Sequence, residues 1–566
     1  MTADPYGVLE TAGTPPEAAD AFPGAQGERY ASKVCDGCTP DGTVSHIFPY
    51  TMTKEDITMK KLVSLLLAAV MLTSLLPLTF AAAEEPVTLD LFVDFTWFPH
   101  DTWEGIIPAE LTKNGGVAFE VTRAADGGQL GLMIASGELP DLVWTSDSLS
   151  KLCDPELVYS YDELIEKYNV DWQPDNERIG IAKTHNIDPD DPHYYTIVQN
   201  YNTQAEWAEA RGVAPGLSGL YYRKDIWEAL GSPDMSTLEG IMNVLGMVKE
   251  QYPDMIPLNA GNNYWRLSPF CDWISGAEFQ YVDEEGNVKL RDTTEKFYDF
   301  LKYVNTMYRN GYFPIENLAL TVEDDARQQM ITGQCFMYEW NARPTPQMEN
   351  LNLDLRKEIP DGRIALCPMP DDAVEMQRAN AGWAGLFISR NCKDPEAAIK
   401  MVAYLNSAEG RHLALWGREG IDWIADEYGA PQFTEEYVTA RAQDDFSAKY
   451  ANEWYMCTTE LDEAYTYFSG LDAENLADFT KNLDKVVSHP ELAVARPASG
   501  TDEAVILSKI NDARNAEMVK IYTAETDEAF EAAYQSWMGI LKQIGVEQLE
   551  AYMTKQAAEL KAQFGF

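Results

Sequence analysis

The sequence predicts an α/β fold that opens on a parallel sheet, and three observations carry that reading. Val87 to Phe95 (VTLDLFVDF) alternates apolar and polar residues, as a strand with one buried face does. Gln129 to Ala135 reads as the end of a helix, and Gly137-Glu138-Leu139-Pro140 as the turn that follows it. Asp141 to Trp144 then supplies a short buried strand, and strand, helix and strand in that order favour parallel pairing.

Later elements continue the pattern. Ser236-x-x-Glu239 has the form of a capping box, in which each side chain satisfies a backbone N–H at the other's end of the first turn. Leu238, Ile241, Met242, Leu245 and Val248 then share one face of a helix that stops before Pro253. Asp394-Pro395 puts a capping carboxylate before a proline at the first helical position, which predicts a helix over Glu396 to Leu405. Near the C-terminus Phe530, Tyr534, Trp537 and Leu541 form one stripe, Gly545 breaks it, and a second helix runs through Leu549, Tyr552 and Leu560. No internal repeat is found.

Composition bounds the function. The 566 residues carry 43 Lys+Arg against 91 Asp+Glu, a formal net charge of −48. That balance argues against a grip on nucleic acid, whose affinity comes from cations on phosphates. With 45% hydrophobic residues and 14 Trp, 29 Tyr and 21 Phe, the chain is too rich in core material to be a disordered acidic polymer. At roughly 100–200 residues per domain, the length permits two to four domains.

The long apolar run, Leu62 to Ala83, follows Met59-Lys60-Lys61 and ends in Ala81-Ala82-Ala83 before Glu84. A basic start, an apolar centre and small residues at the cut describe a secretory signal peptide over 59–83. A membrane span is the competing reading, which Pro77, Thr73, Thr79 and the triple alanine disfavour. Residues 1–58, rich in Pro, Gly and acidic side chains, read as a disordered leader or an upstream gene-start artefact. Without residues 1–83 the chain has 483 residues and a formal charge of −44. Its six cysteines (Cys153, Cys271, Cys335, Cys367, Cys392 and Cys457) are scattered, so neither a disulfide framework nor a zinc site is signalled. The Cys35-x-x-Cys38 pair stands alone in the leader and is a weak metal signal.

Several segments, in order, resemble the extracellular solute-binding proteins of sugar ABC importers, the family that includes maltodextrin-binding protein. They are Ala135-Ser136-Gly137-Glu138-Leu139-Pro140-Asp141-Leu142-Val143-Trp144, then Gly219-Leu220-Tyr221-Tyr222-Arg223-Lys224-Asp225, then Pro233 with the Thr237-x-Glu239 helix. Gly333-Gln334-Cys335-Phe336-Met337-Tyr338-Glu339-Trp340 follows, and last come Asp394-Pro395-Glu396-Ala397-Ala398 and Ser407-Ala408-Glu409-Gly410. The long C-terminal region and Trp416-Gly417-Arg418-Glu419-Gly420-Ile421-Asp422-Trp423 are most similar to the large lipoprotein-type members of Gram-positive bacteria. Those members carry a lipid-bearing Cys after the signal peptide; here the position is Glu84, which puts anchoring by that route in doubt.

The resemblance implies a two-lobe, type II periplasmic-binding-protein-like α/β fold with a hinge and C-terminal helices. Lobe one would hold 84–205 plus 364–415, and lobe two 215–360 plus 425–566. It implies a secreted, envelope-associated monomer that captures a mono- or oligosaccharide between its lobes and hands it to membrane permease subunits, with no cofactor and no metal.

Ligands of open α/β sheets lie beyond the carboxyl ends of the strands. Sugars offer an apolar C–H face and a rim of hydroxyls, which suits flat aromatic platforms beside Asp, Asn and Arg. That combination selects Asp94, Thr96 and Trp97 after the first strand, Trp144 and Asp147 after the second, and Trp340 with Arg343 after the 335–338 strand. Trp265, in Asn262-Asn263-Tyr264-Trp265-Arg266, and Trp383, in Ala381-Gly382-Trp383-Ala384-Gly385, complete the candidates. For each the competing role is core packing, as it is for Trp103. Trp227, Trp416 and Trp537 lie on amphipathic or helix-end patterns and read as core.

Catalytic signatures are missing: the chain has no H-E-x-x-H, G-x-S-x-G, G-x-x-x-x-G-K-[ST] or G-x-G-x-x-G. His185 and His193 bracket the NIDPDDP loop, which reads as solvated and acidic before it reads as a metal site. A binding protein is therefore favoured over an enzyme. The alternatives are a binding protein for peptides or other polar solutes, and a secreted glycoside hydrolase, which needs only two carboxylates at the right separation.

Overall fold

The computed structural model describes residues 85–564 apart from 148, 189, 211–212, 214, 262–265, 278, 320–322, 344–345, 427–428, 442, 444, 470–472 and 498–500. The leader, the signal peptide and Trp265 lie outside the described residues. The alternation of Val87 to Phe95 becomes strand β1 (Val87–Val93), followed by α1 (Ile106–Gly115), β2 (Val117–Arg123), α2 (Gln129–Ser136) and β3 (Leu142–Thr145). Both β2 and β3 run parallel to β1. A strand that arrives much later, Gly385–Ile388, pairs antiparallel with β3 and completes a four-stranded sheet. Period-two alternation sends Leu89, Leu91 and Val93 to one face with Leu142 and Trp144, and Phe92 and Val143 to the other.

A second sheet is built from β4 (Ser218–Arg223), β5 (Ile256–Asn259), β6 (Cys335–Asn341) and β7 (Ile364–Leu366), with α3 (Leu238–Gln251) between β4 and β5. Its central strand β6 pairs parallel with β5 and antiparallel with β4. The α3 stripe is buried at Ile241, Val244, Leu245 and Val248. The helix starts one residue later than the capping-box pattern implies: Thr237, not Ser236, accepts from the N–H of Gly240. Ser236 is occupied in a turn, its own N–H donating to Asp234.

The chain returns to the first sheet with Gly385–Ile388 (β8), then α4 (Pro395–Asn406) and α5 (Ala408–Trp416). Asp394 caps α4 as the sequence implies, accepting from the N–H of Ala397 with Pro395 at the first position. After α6 (Glu460–Phe468), three long helices close the chain: α7 (Asp502–Tyr522), α8 (Asp527–Ile544) and α9 (Val546–Phe564). Phe530, Trp537 and Leu541 of α8 and Leu549 of α9 join the core under the second sheet, and Gly545 ends α8 in the left-handed region. Trp416 and Trp537 are core residues, and Trp227 packs at the edge of the second core.

Two details depart from the lobe boundaries read from the sequence. Ile364–Leu366 pairs with β4, so the stretch from 364 belongs to the second sheet until the chain crosses back after it. Trp454, Met456 and Cys457 sit in the core of the first sheet, so 425–566 is shared between the two. The six cysteines are all buried free thiols. Among the described residues no helix is long and apolar enough to cross a membrane. No cluster of three or more His, Cys, Asp or Glu among them is arranged to hold a metal. His193 instead pairs with Asp162 at 2.7 Å, and His185 is half-buried, desolvation pulling its pKa down to about 4.

Candidate functional site

At the end of β1 the chain continues one pairing further, the N–H of Asp94 donating to the carbonyl of Trp144 at 2.9 Å, and then turns. Phe95 and Trp97 leave this turn on the same side. Phe95 is buried, with its ring 5.4 Å from Trp97 and 4.8 Å from Trp383. Trp97 and Trp383 lie 5.8 Å apart with an interplanar angle of 35°. The three rings form a ledge whose outermost member, Trp97, is 57% exposed. Trp97 thus presents an exposed aromatic face on a support of two further rings.

Trp383 comes from the segment that crosses back to the first sheet, and a glycine sets it in place. Gly382 has φ +90, and a Cβ there would meet Val198 Cγ1 at 2.5 Å and the carbonyl of Gln199 at 2.6 Å. That close approach lets the N–H of Trp383 donate to the Gln199 carbonyl at 3.0 Å.

Two carboxylates lie at the foot of the ledge. Thr145 Oγ1 donates to Asp94 Oδ2 at 2.8 Å and accepts from the backbone N–H of Asp147 at 2.9 Å, so one buried hydroxyl joins the Asp94 carboxylate to the turn that carries Asp147. Burial of Asp94 raises its pKa to about 6; the Thr145 hydrogen bond works against this and the field of Asp147 adds to it. Asp147 itself is exposed.

Trp144 is a correction to the sequence reading. It is 0% exposed, its indole N–H donates to Gln199 Oε1 at 2.8 Å, and Phe95 and Phe98 meet it edge-on. Strand period places it on the same face as Leu142, which is the covered face, so it supports the ledge from behind. Trp103 is likewise core, donating to Thr112 and packing edge-on against Phe119 and Trp454.

On the second sheet, β6 ends in Glu339-Trp340-Asn341. Trp340 is half-buried, 6.0 Å from the ring of Tyr338, at the edge of its own core. Glu339 is fully enclosed; its Oε2 accepts from the N–H of Leu267, and burial pushes its pKa up to about 8. Arg343 has its guanidinium 4.4 Å over the ring of Tyr467 in α6. Burial opposes its charge, but Tyr467, Glu463, Tyr455 and Glu453 around it hold the pKa above the ordinary value. The cation is thus committed to α6, which differs from the open, ligand-facing role expected of it.

Helix α6 is the meeting point of the crossing segments. Glu460 accepts from Arg378 Nη1 and Asn380 Nδ2, each at 2.8 Å, and from the N–H of Gly216 at 2.7 Å. Asn200 donates to Glu463, and Asn202 accepts from the N–H of Leu461. Asp462 reaches α5 through Arg411 at 2.7 Å and His412 at 3.2 Å.

The structure therefore brings Asp94, Asp147, Trp97 and Trp383 together on the first lobe and sets Trp340 and Arg343 at the matching strand end of the second. Sequence reasoning missed Phe95, Gln199, Glu453, Glu463 and Tyr467. Phe95 was open to the same strand-end argument as Trp97; the others converge from distant parts of the chain and leave no local pattern.

The profile of the family described as bacterial extracellular solute-binding protein matches residues 108–416, more than half of the chain. Among solved structures the chain is similar to the alginate-binding protein AlgQ2 without calcium ion, at 17% identity and a TM-score of 0.58, covering 84% of this chain and 98% of that one. It is similar to the S. pneumoniae ABC-transporter substrate binding protein FusA in complex with kestose, at 15% identity and a TM-score of 0.58, over 84% and 100% of the two chains. An extracellular solute-binding protein from Bifidobacterium longum subsp. infantis matches at 14% identity and a TM-score of 0.58, over 84% and 98%. At these identities the likeness establishes the fold. No curated protein sequence matches the chain.

Proposed function

The chain belongs to the family of bacterial extracellular solute-binding proteins, and from that premise we propose that it captures an oligosaccharide between its two lobes and delivers it to the permease of an ABC importer. One observation carries the choice of ligand: the Trp97–Phe95–Trp383 ledge beside Asp94 and Asp147. A flat, exposed aromatic ring matches the C–H face of a pyranose, and carboxylates accept from vicinal hydroxyls. The proteins of similar fold, named for alginate binding and bound to kestose, support a saccharide over a peptide.

In this reading the ligand touches Trp97, Trp383, Asp94 and Asp147 on one lobe and Trp340 on the other, and hinge closure is stabilised because it completes both sets of contacts. The segment 59–83 directs secretion, and the protein acts as an envelope-associated monomer outside the cell. It is a binder and not a hydrolase.

A thermal-shift screen tests this. Oligosaccharides should raise the melting temperature in a saturable way by mass action. A shift from peptides or polyamines with none from a broad glycan panel overturns the sugar reading, and product release from chromogenic glycosides replaces it with a hydrolase.

A further inference from the structure

We propose that Arg123 is a positioning residue for the ligand: its guanidinium holds the loop that presents Trp97, and the affinity of the ledge for a saccharide depends on that grip. This rests on the oligosaccharide reading above and deepens it.

Strand geometry places the side chain. β2 is an edge strand of the first sheet, and its last residue, Arg123, lies in register with Val93 at the end of β1. Val117, Phe119 and Val121 of β2 share the core of Val93 and Phe95, and two-residue alternation sets Arg123 on that same face. Arg123 therefore leaves the sheet on the side where Phe95 and Trp97 do.

From there it reaches two points of the loop after β1. Arg123 Nε donates to Asp101 Oδ1 and Arg123 Nη1 to the carbonyl of Thr96, both at 2.5 Å. Thr96 directly precedes Trp97 and Asp101 lies at the far end of the loop, so one planar fork grips the segment at both ends.

The inner side of the loop is held separately. Phe98 is buried edge-on against Trp144 and Trp454, and His100 is buried with its Nε2 2.8 Å from the carbonyl of Asn452. Thr96, Trp97, Pro99 and Asp101 are exposed, and the first and last of these are the two that Arg123 takes. Without the fork the backbone beside Trp97 loses its outer restraint, and a ligand must order the ring as it binds, at a cost in affinity.

The same contacts weigh little on the fold. The side chains of Arg123 and Asp101 are 33% and 67% exposed, and ion pairs so exposed contribute little to stability. Loss of the guanidinium should tell on the ligand and not on folding.

Protein labelled with 5-fluorotryptophan tests this by two readings. The first is the fluorine NMR line of Trp97, identified by its loss in Trp97→Phe; in Arg123→Ala that line should shift or broaden while those of the buried tryptophans stay in place. The second is calorimetric titration at pH 7.5 with neutral di- to pentasaccharides of glucose, mannose, galactose and fructose. The tightest wild-type ligand should bind Arg123→Ala roughly three- to tenfold more weakly, with the melting temperature of the unliganded protein unchanged. An unmoved Trp97 line, or an unchanged affinity, in Arg123→Ala overturns the role and leaves the oligosaccharide reading standing. A melting temperature that falls along with the affinity marks a merely structural residue and overturns it too. Silence of the wild type across the panel overturns the oligosaccharide reading itself, and the role with it.

Discussion

The guanidinium of Arg343 lies 4.4 Å over the ring of Tyr467 and so fastens the end of the central strand of the second sheet to helix α6. The same helix is fastened to the first lobe by Asp462, which pairs with Arg411 and His412 and whose carbonyl accepts from the indole of Trp416 at 2.8 Å. A helix gripped from both lobes, with the crossing segments bonded to its first turn, is placed to act as the hinge's clasp.

Arg343→Ala should therefore cost roughly 2–4 kcal/mol in urea unfolding, because a desolvated cation–π contact is lost and Glu463 loses its nearby positive charge. Tyr467→Phe keeps the ring but removes the hydroxyl's hydrogen bond to Glu463, and should cost about 1 kcal/mol. Equal stability of wild type and Arg343→Ala would show that the contact does not hold the clasp.

Neighbouring carboxylates in this helix should respond to pH in opposite senses. Asp462, fully enclosed, pays for burial, yet Arg411 and His412 hold its pKa below the ordinary range. Its contribution is present above the unfolded value near 4 and fades as the pH falls through the folded one, so Asp462→Asn should cost about 3 kcal/mol at pH 7 and less in acid. Burial raises Glu463 to about 7, with Arg343 opposing. Stability linked to it is full below about 4.5 and declines as the pH rises through 7, so Glu463→Gln should gain on wild type between pH 5 and 8. Melting temperatures from strong acid up to pH 8 test both signs, Asp462 below about pH 4 and Glu463 above it.

Trp97 and Trp144 separate binding from folding. Trp97→Ala should leave the unliganded melting temperature nearly unchanged, since the ring is 57% exposed, and should abolish stabilisation by sugar. Trp144→Ala should cost roughly 3–5 kcal/mol through the cavity and the orphaned Gln199 side chain. Trp340→Ala should also lose ligand-induced stabilisation while keeping the fold; an equal loss of folding would make Trp340 a core residue only.

Gly382→Ala tests the ledge indirectly. The added Cβ would strike Val198 and the Gln199 carbonyl at a φ of +90, so the segment must shift and carry Trp383 with it. We expect destabilisation of more than about 1 kcal/mol together with weaker ligand binding.

What the sequence disclosed follows from the range of the forces involved. Strands β1 and β3, the Asp394 cap and the α8 stripe with its stop at Gly545 are written in neighbouring residues, through alternation, capping chemistry and helical spacing. The positions of Trp97, after the first strand, and of Trp383, before Gly385–Ile388, could be read from the sequence. Trp144 was misassigned because proximity to a strand end says nothing about which face a side chain takes; its spacing from Leu142 does. Strand Ile364–Leu366 is only three residues long, so its pairing with β4 depends on the sheet and not on local pattern. Glu463 and Tyr467 are tied to Asn200 and Arg343, more than a hundred positions away, which no local window encodes.

Calorimetric titration of a neutral oligosaccharide into wild type and Trp97→Ala is the most direct test of the central claim. The account predicts saturable one-to-one binding by the wild type and a loss of at least about tenfold in affinity in the variant, with both proteins unfolding at the same temperature. Undiminished affinity in Trp97→Ala, or no binding heat from any glycan in the wild type, would contradict it.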